Sequence, residues 1–214
     1  MGKDPERVIN LQAVQRHYQR HFTIVMGTGG TIGEARNNGA FQAIDQGAEL
    51  LFFVDADVIV PIESVILATK IADLTGSGVY PYGKITRLFP AERKEYIERG
   101  TLPPRTDGLP EGGALVLSRQ GFIQTCGFPE TNYGEDNILH NAMQCFLGPI
   151  VRIWEPAYHL WHPEGSSDGY IDTKAVQIVR ATENAVDSPD KMRTIFRKAG
   201  YHDLPRFTAA GYRP

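Results

Sequence analysis

Five apolar residues in succession, Leu50-Leu51-Phe52-Phe53-Val54, run straight into Asp55-Ala56-Asp57. An uninterrupted run this short suits a strand covered on both faces, as in a parallel sheet with helices on either side. Its carboxyl end is where open α/β sheets bind ligands. Alternation along a strand sends Asp55 and Asp57 to the same side. Two carboxylates so placed suit a hard divalent cation that shares phosphate oxygens. The plainer alternative is a turn, since aspartate is common in turns.

The surrounding chain alternates helix and strand. Asp4 as cap and Pro5 at the first helical position predict a helix over 5–20, with Val8, Leu11, Val14, Gln15 and Tyr18 on one stripe. A strand is predicted over 22–26, a helix over 34–47 stopped by Gly47, a helix over 62–74 and a strand over 77–82. This order argues for α/β architecture. The stretch 83–111 is rich in charge, proline and glycine; it predicts a helix near 90–99 and a mobile loop at 100–111. A strand is expected over 112–118 and a helix over 134–146, whose buried face carries Ile138, Leu139, Ala142, Met143 and Phe146. Residues 150–161 predict a strand pair or a strand and loop, and the tail two helices, 171–186 and 189–199.

At 214 residues the chain suits one domain with a small appendage. Its 22 basic and 25 acidic residues leave a formal charge of −3, a poor basis for coating nucleic acid, which requires many neutralised phosphates. Cys126 and Cys145 lack metal spacing and are too few for a disulfide framework. No apolar run approaches ~20 residues. The expectation is a soluble, cytoplasmic protein without a membrane span.

Two further groups carry candidate chemistry. Gly134-Glu135-Asp136 opens a predicted helix. Carboxylates there serve either as partners of the helix dipole or as a general base fixed by the helix terminus. His159-Leu160-Trp161-His162-Pro163 offers two imidazoles, each either structural or a metal ligand. Strand alternation would put the two histidines on opposite faces, with at most one at a shared site.

Taken in order, ARNNGAFQA (35–43), LLFFVDAD (50–57), EGGALVLSRQGFIQTCGFPETNYGEDNILHNA (111–142) and HLWHP (159–163) resemble the GT-A glycosyltransferases. The likeness is greatest to the family 2-like branch with a galactosyltransferase-type C-terminal motif, and it covers most of residues 6–165. It implies a Rossmann-like α/β sandwich with a mixed, mostly parallel central sheet. A catalytic domain would span 1–165, with 166–214 a helical extension packed on it. It implies a nucleotide-sugar donor, with a UDP-sugar the first expectation, and a divalent cation, Mn2+ or Mg2+.

Carried over by position, Asp55 would touch the ribose or the metal, Asp57 would ligate the metal, and His162 would complete its protein ligands. Arg36 with Asn37 or Asn38 would face the donor nucleotide. Gly112 and Gly113 match the loop where a side chain would collide with donor sugar or acceptor. Glu135 would contact a sugar or acceptor hydroxyl, and Asp136 would be the base of an inverting transfer. The segment 83–111 reads as a lid, an acceptor loop or an idle surface loop.

One departure stands out. The family opens with a strand carrying a V-x-P-like segment, whereas this chain opens on MGKDPER. The expectation is a sheet without its first strand, the strand being lost, truncated or supplied by another chain. The bare edge would invite a homo-oligomer.

Two other readings compete. Gly27-x-Gly29-x-x-x-Gly33 after TIVM has a dinucleotide-binding layout and resembles the start of a short-chain dehydrogenase, with Tyr170-x-x-x-Lys174 or Tyr80-x-x-x-Lys84 as the catalytic pair. The other reading is a nucleotide-sugar-binding module that has lost turnover.

Overall fold

A computed structural model describes residues 4–105, 112–163 and 173–201. Helix α1 (Pro5–Tyr18) starts where Asp4 accepts a hydrogen bond from Glu6 N–H, with Pro5 at the first position. Its buried stripe is Asn10, Ala13, Val14 and Tyr18. Val8, expected inside, is exposed; the stripe passes through Asn10 instead, whose amide finds partners inside the protein.

The strand expected at 22–26 does not form. Phe22 packs on Tyr18 and Phe52, but Ile24 and Met26 are exposed, and residues 22–26 join no ladder. A β-like composition yields a strand only where a neighbour accepts its backbone bonds. Helix α2 (Ile32–Asp45) follows, capped by Thr31 through Glu34 N–H.

Next come β1 (Leu50–Val54), β2 (Val58–Ile59), α3 (Ile62–Thr75), β3 (Val79–Tyr80), β4 (Lys84–Arg87) and α4 (Pro90–Arg99). Beyond them lie β5 (Ala114–Ser118), α5 (Arg119–Gln124), α6 (Glu135–Leu147), β6 (Val151–Arg152) and β7 (Pro156–His159). The described chain closes with α7 (Thr173–Glu183) and α8 (Pro189–Ala199). One sheet has the order β1-β5-β3-β6 and the other β2-β7-β4.

The architecture is mixed α/β, but the sheets are not mostly parallel. The pairs β1/β5, β3/β5 and β2/β7 are antiparallel, while β3/β6 and β4/β7 are parallel. The apolar run of β1 therefore needs another explanation. Phe52 stacks on Tyr18 and Phe22 on one face of the strand, and Phe53 on Phe122 and Phe128 on the other. Each face has its own aromatic cover, although β1 lies at a sheet edge.

The tail packs on the body through α6. Cys126, Ile138, Ala142, Ala185, Met192 and Phe196 form a separate buried cluster, and Asn141 donates to Thr182 Oγ1 across α6 and α7 at 2.9 Å. Of the tail's cations, Arg193 lies over Phe146 and pairs with Asp190. Among the described residues no helix is long and apolar enough to cross a membrane.

Candidate active site

Strand directions gather one rim. The carboxyl ends of β1, β3 and β6 meet the start of β5 there, and Asp55 N–H donates to Gly113 O at 2.8 Å. A cavity opens at this rim, lined by Arg36, Phe53, Asp55, Tyr80, Gly112 and Asp136 among others.

Arg36 is its hub. Nη2 lies 2.6 Å from Asp55 Oδ1, while Nη1 lies 2.5 Å from Asp136 Oδ1 and 3.1 Å from Glu135 Oε1. The guanidinium also stacks over the Phe128 ring at 4.9 Å. Burial works against its charge, but Asp55, Asp136 and Glu135 outweigh that and hold its pKa above the ordinary value. Burial pushes the carboxyls of Asp136 and Glu135 up, and Arg36 only partly offsets it.

Gly134, at φ +73°, turns the chain into α6 and places Glu135 and Asp136 in its first turn, where the helix dipole favours carboxylates. Glu135 is buried against Arg36. Asp136 faces the cavity. Gly112 lies against Asp136, and a Cβ at Gly112 would fall 2.2 Å from Asp136 Oδ2. One at Gly113 would press on Val58 and Ile85 and approach Asp55 Oδ2 to 3.9 Å.

Beside Asp55, Asp57 faces two imidazoles. His162 Nε2 stands 3.2 Å from Asp57 Oδ2, and His159 Nε2 stands 3.7 Å from Asp57 Oδ1. The expectation that only one histidine reaches the site is overturned. Strand β7 ends at His159, so alternation does not govern His162, and the two rings lie 5.2 Å apart. His162 Nδ1 lies 2.8 Å from Pro163 O; a carbonyl only accepts, so this contact has Nδ1 as its donor and leaves the Nε2 side of the ring toward Asp57.

The ligand atoms of Asp57, His159 and His162 lie within 4.8 Å of one another, which fits a divalent cation. Asp55, expected as a ligand, is outside this set and is turned to Arg36 instead. Burial raises the Asp57 carboxyl and lowers the His159 imidazole, which Asp57 partly offsets; the shift of His159 favours the neutral ring, the form that ligates.

Asn37 and Asn38 do not line the cavity. Asn37 is buried and clamps Phe128, donating to its carbonyl at 2.8 Å and accepting from its N–H at 2.9 Å. Asn38 accepts from Gln42 along α2. Adjacent helical positions point about 100° apart, so the cavity takes Arg36 from this motif and leaves the asparagines behind.

The glycine loop before α2 is occupied by its own chain. Gly30 N–H donates to Glu34 at 2.6 Å, Ile32 N–H to Asn132 at 3.1 Å and Glu34 N–H to Thr31 at 3.1 Å. Tyr80 pairs with His140 Nδ1 at 3.0 Å and lies on β3, whereas Lys84 is exposed on β4. Tyr170 lies outside the described residues, as do 106–111 of the expected loop.

Sequence reasoning missed His159 as a partner of Asp57, and Tyr80 and Phe128 as cavity walls. Only His159 carried a signal, as the first residue of HLWHP. A scan against protein-family models finds no match to this chain, and a search of the curated proteins finds none either.

Proposed function

We propose that the chain is a metal-dependent glycosyltransferase of GT-A type that moves a sugar, with inversion, from a nucleotide-sugar donor to an acceptor hydroxyl. A UDP-sugar is the first donor to test. The observation that carries the reading is the sharing of one rim by two groups. The set Asp57, His159 and His162 can hold a cation, and two residues from Asp57 the cluster of Asp55, Arg36 and Asp136 begins.

A cation bound by Asp57, His159 and His162 would neutralise the departing diphosphate. Asp136 receives the proton of the acceptor hydroxyl as that oxygen attacks the anomeric carbon. The bond from that carbon to the diphosphate oxygen breaks on the opposite side, and its electron pair leaves with the diphosphate. The raised pKa of Asp136 suits this role, since a carboxylate that holds a proton more firmly is a stronger base. Arg36 keeps Asp136 oriented and balances Glu135 and Asp55.

One observation favours a second reading, a nucleotide-sugar-binding module without turnover: Arg36 Nη1 already holds one oxygen of the carboxylate that would take the proton, at 2.5 Å. Incubation with UDP-sugars and Mn2+ separates the two. Mn2+-dependent release of UDP supports the transferase. Donor binding with no release under any acceptor supports the module, and affinity for neither donor nor cation overturns both.

A further inference from the structure

We propose that Asn10, locked by Arg93, is a positioning residue that holds the backbone between His159 and His162 against Asp57. The inference rests on the cation reading above, but on different atoms. Asn10 sits within α1 and is fully buried. Asparagine is a poor residue inside a helix, and a buried amide left unpaired costs about 1–3 kcal/mol. Here the amide is used on both ends. Nδ2 donates to Leu160 O at 3.3 Å and to Trp161 O at 3.1 Å, while Oδ1 accepts from Arg93 Nε at 2.5 Å. The carbonyls only accept and the guanidinium only donates, so one amide orientation satisfies all three bonds.

Arg93, itself buried on α4, is fastened in turn. Its Nη2 donates to Glu6 O at 3.0 Å, and Nη1 pairs with the Glu6 carboxylate. On its other edge the same segment is tied to the acidic turn, where Leu160 N–H donates to Asp57 O at 2.7 Å. Leu160 and Trp161 are thus held from two sides, and the two histidines flank them. Groups that orient metal ligands from behind typically change metal affinity about 10–100-fold when removed.

Asn10→Asp keeps the size and the acceptor toward Arg93 but loses both donations. Arg93→Lys removes the Nε donation while keeping a cation for Glu6, and it carries the test should the first variant not fold. In the metal-free protein, hydrogen exchange at the Leu160 amide is expected to rise at least about 10-fold, with Leu139 and Met143 of α6 unchanged. Wild-type exchange at Leu160, or equal acceleration in α6, overturns the proposal. Calorimetric titration with Mn2+ and with Zn2+ is expected to show affinity weakened about 10–100-fold. Unchanged affinity beside a wild type that binds overturns it as well. A wild type that takes up neither ion sinks the cation reading, while exchange at Leu160 still decides whether Asn10 holds the segment.

Discussion

Gly112 and Asp136 are in contact across the cavity: a Cβ at Gly112 would fall 2.2 Å from Asp136 Oδ2, inside any van der Waals separation. Gly112→Ala must therefore displace the carboxylate or the loop. The expected result is transfer reduced by at least about 10-fold through the misplaced carboxylate, with little change in stability, because the atoms met belong to one partly exposed side chain. Donor turnover and a urea melt measure the two separately, and wild-type turnover would show that Asp136 is not held where it must act.

Asp136→Asn keeps the shape of the side chain and removes the proton acceptor. Donor affinity is expected to stay near wild type while transfer falls about 100-fold or more, the lower end for loss of a general base. Single-turnover assays with saturating donor give the comparison. Undiminished transfer would move the base to another residue.

Asp57→Ala and His159→Ala are each expected to abolish or strongly weaken divalent-cation binding, whereas Asp55→Asn should change it little, because Asp55 is engaged with Arg36. Binding should also weaken on acidification, because protons compete for the imidazole and carboxylate donors. Calorimetry with Mn2+ across pH checks both statements. Equal losses from Asp55→Asn and His159→Ala would return Asp55 to the ligand set.

Arg36→Ala leaves three carboxylates facing one another. Removing one partner of a fully buried pair costs about 3–5 kcal/mol, and here the cost should be nearer about 2 kcal/mol through partial solvent screening. Asp55 and Asp136 keep 38% of their side-chain surface exposed. Thermal and urea melts read the loss, and Arg36→Lys should restore only part of it, because an ammonium cannot match the planar fork.

His17 supplies a pH dependence outside the cavity. Burial lowers its imidazole pKa below 6.5, with His21 adding to the shift and the Val60 carbonyl and Glu63 opposing it. As pH falls through 6.5 the unfolded chain takes up a proton that the folded chain refuses, so this contribution to stability is lost on acidification. His17→Gln keeps a donor for Val60 O and should flatten the fall in melting temperature between about pH 7 and pH 5. An unaltered slope would rule His17 out as a source.

Much of the fold is legible in punctuation. Pro5, Pro90 and Pro189 open helices, and Gly76, Gly100 and Gly200 close them in the left-handed conformation. Strands were harder to read. β2 is two residues long, too short for any period, β3 fills only Val79–Tyr80 of the strand expected over 77–82, and 22–26 has the composition of a strand without a ladder to join. Asp57, Asp136 and His162 stood out as candidates because each lies at the end of a predicted element, and the structure puts Asp57 beside His162 and Asp136 on the cavity. His159 was a candidate too, but that both histidines reach Asp57 was not legible, nor was Asn10, because this depends on where β7 stops and on which side of α1 is covered, and no local pattern states either.

Helix α6 bears Asp136 at its tip and is wedged along its length between the main core and the cluster built with α7 and α8. The proposed chemistry therefore has a lever arm. Shortening Met192 or Phe196, on α8, would loosen the seat of that helix and could blunt the reacting group without touching it. For anyone trimming this protein or fusing a reporter to it, the last helices count as part of the packed body that seats α6.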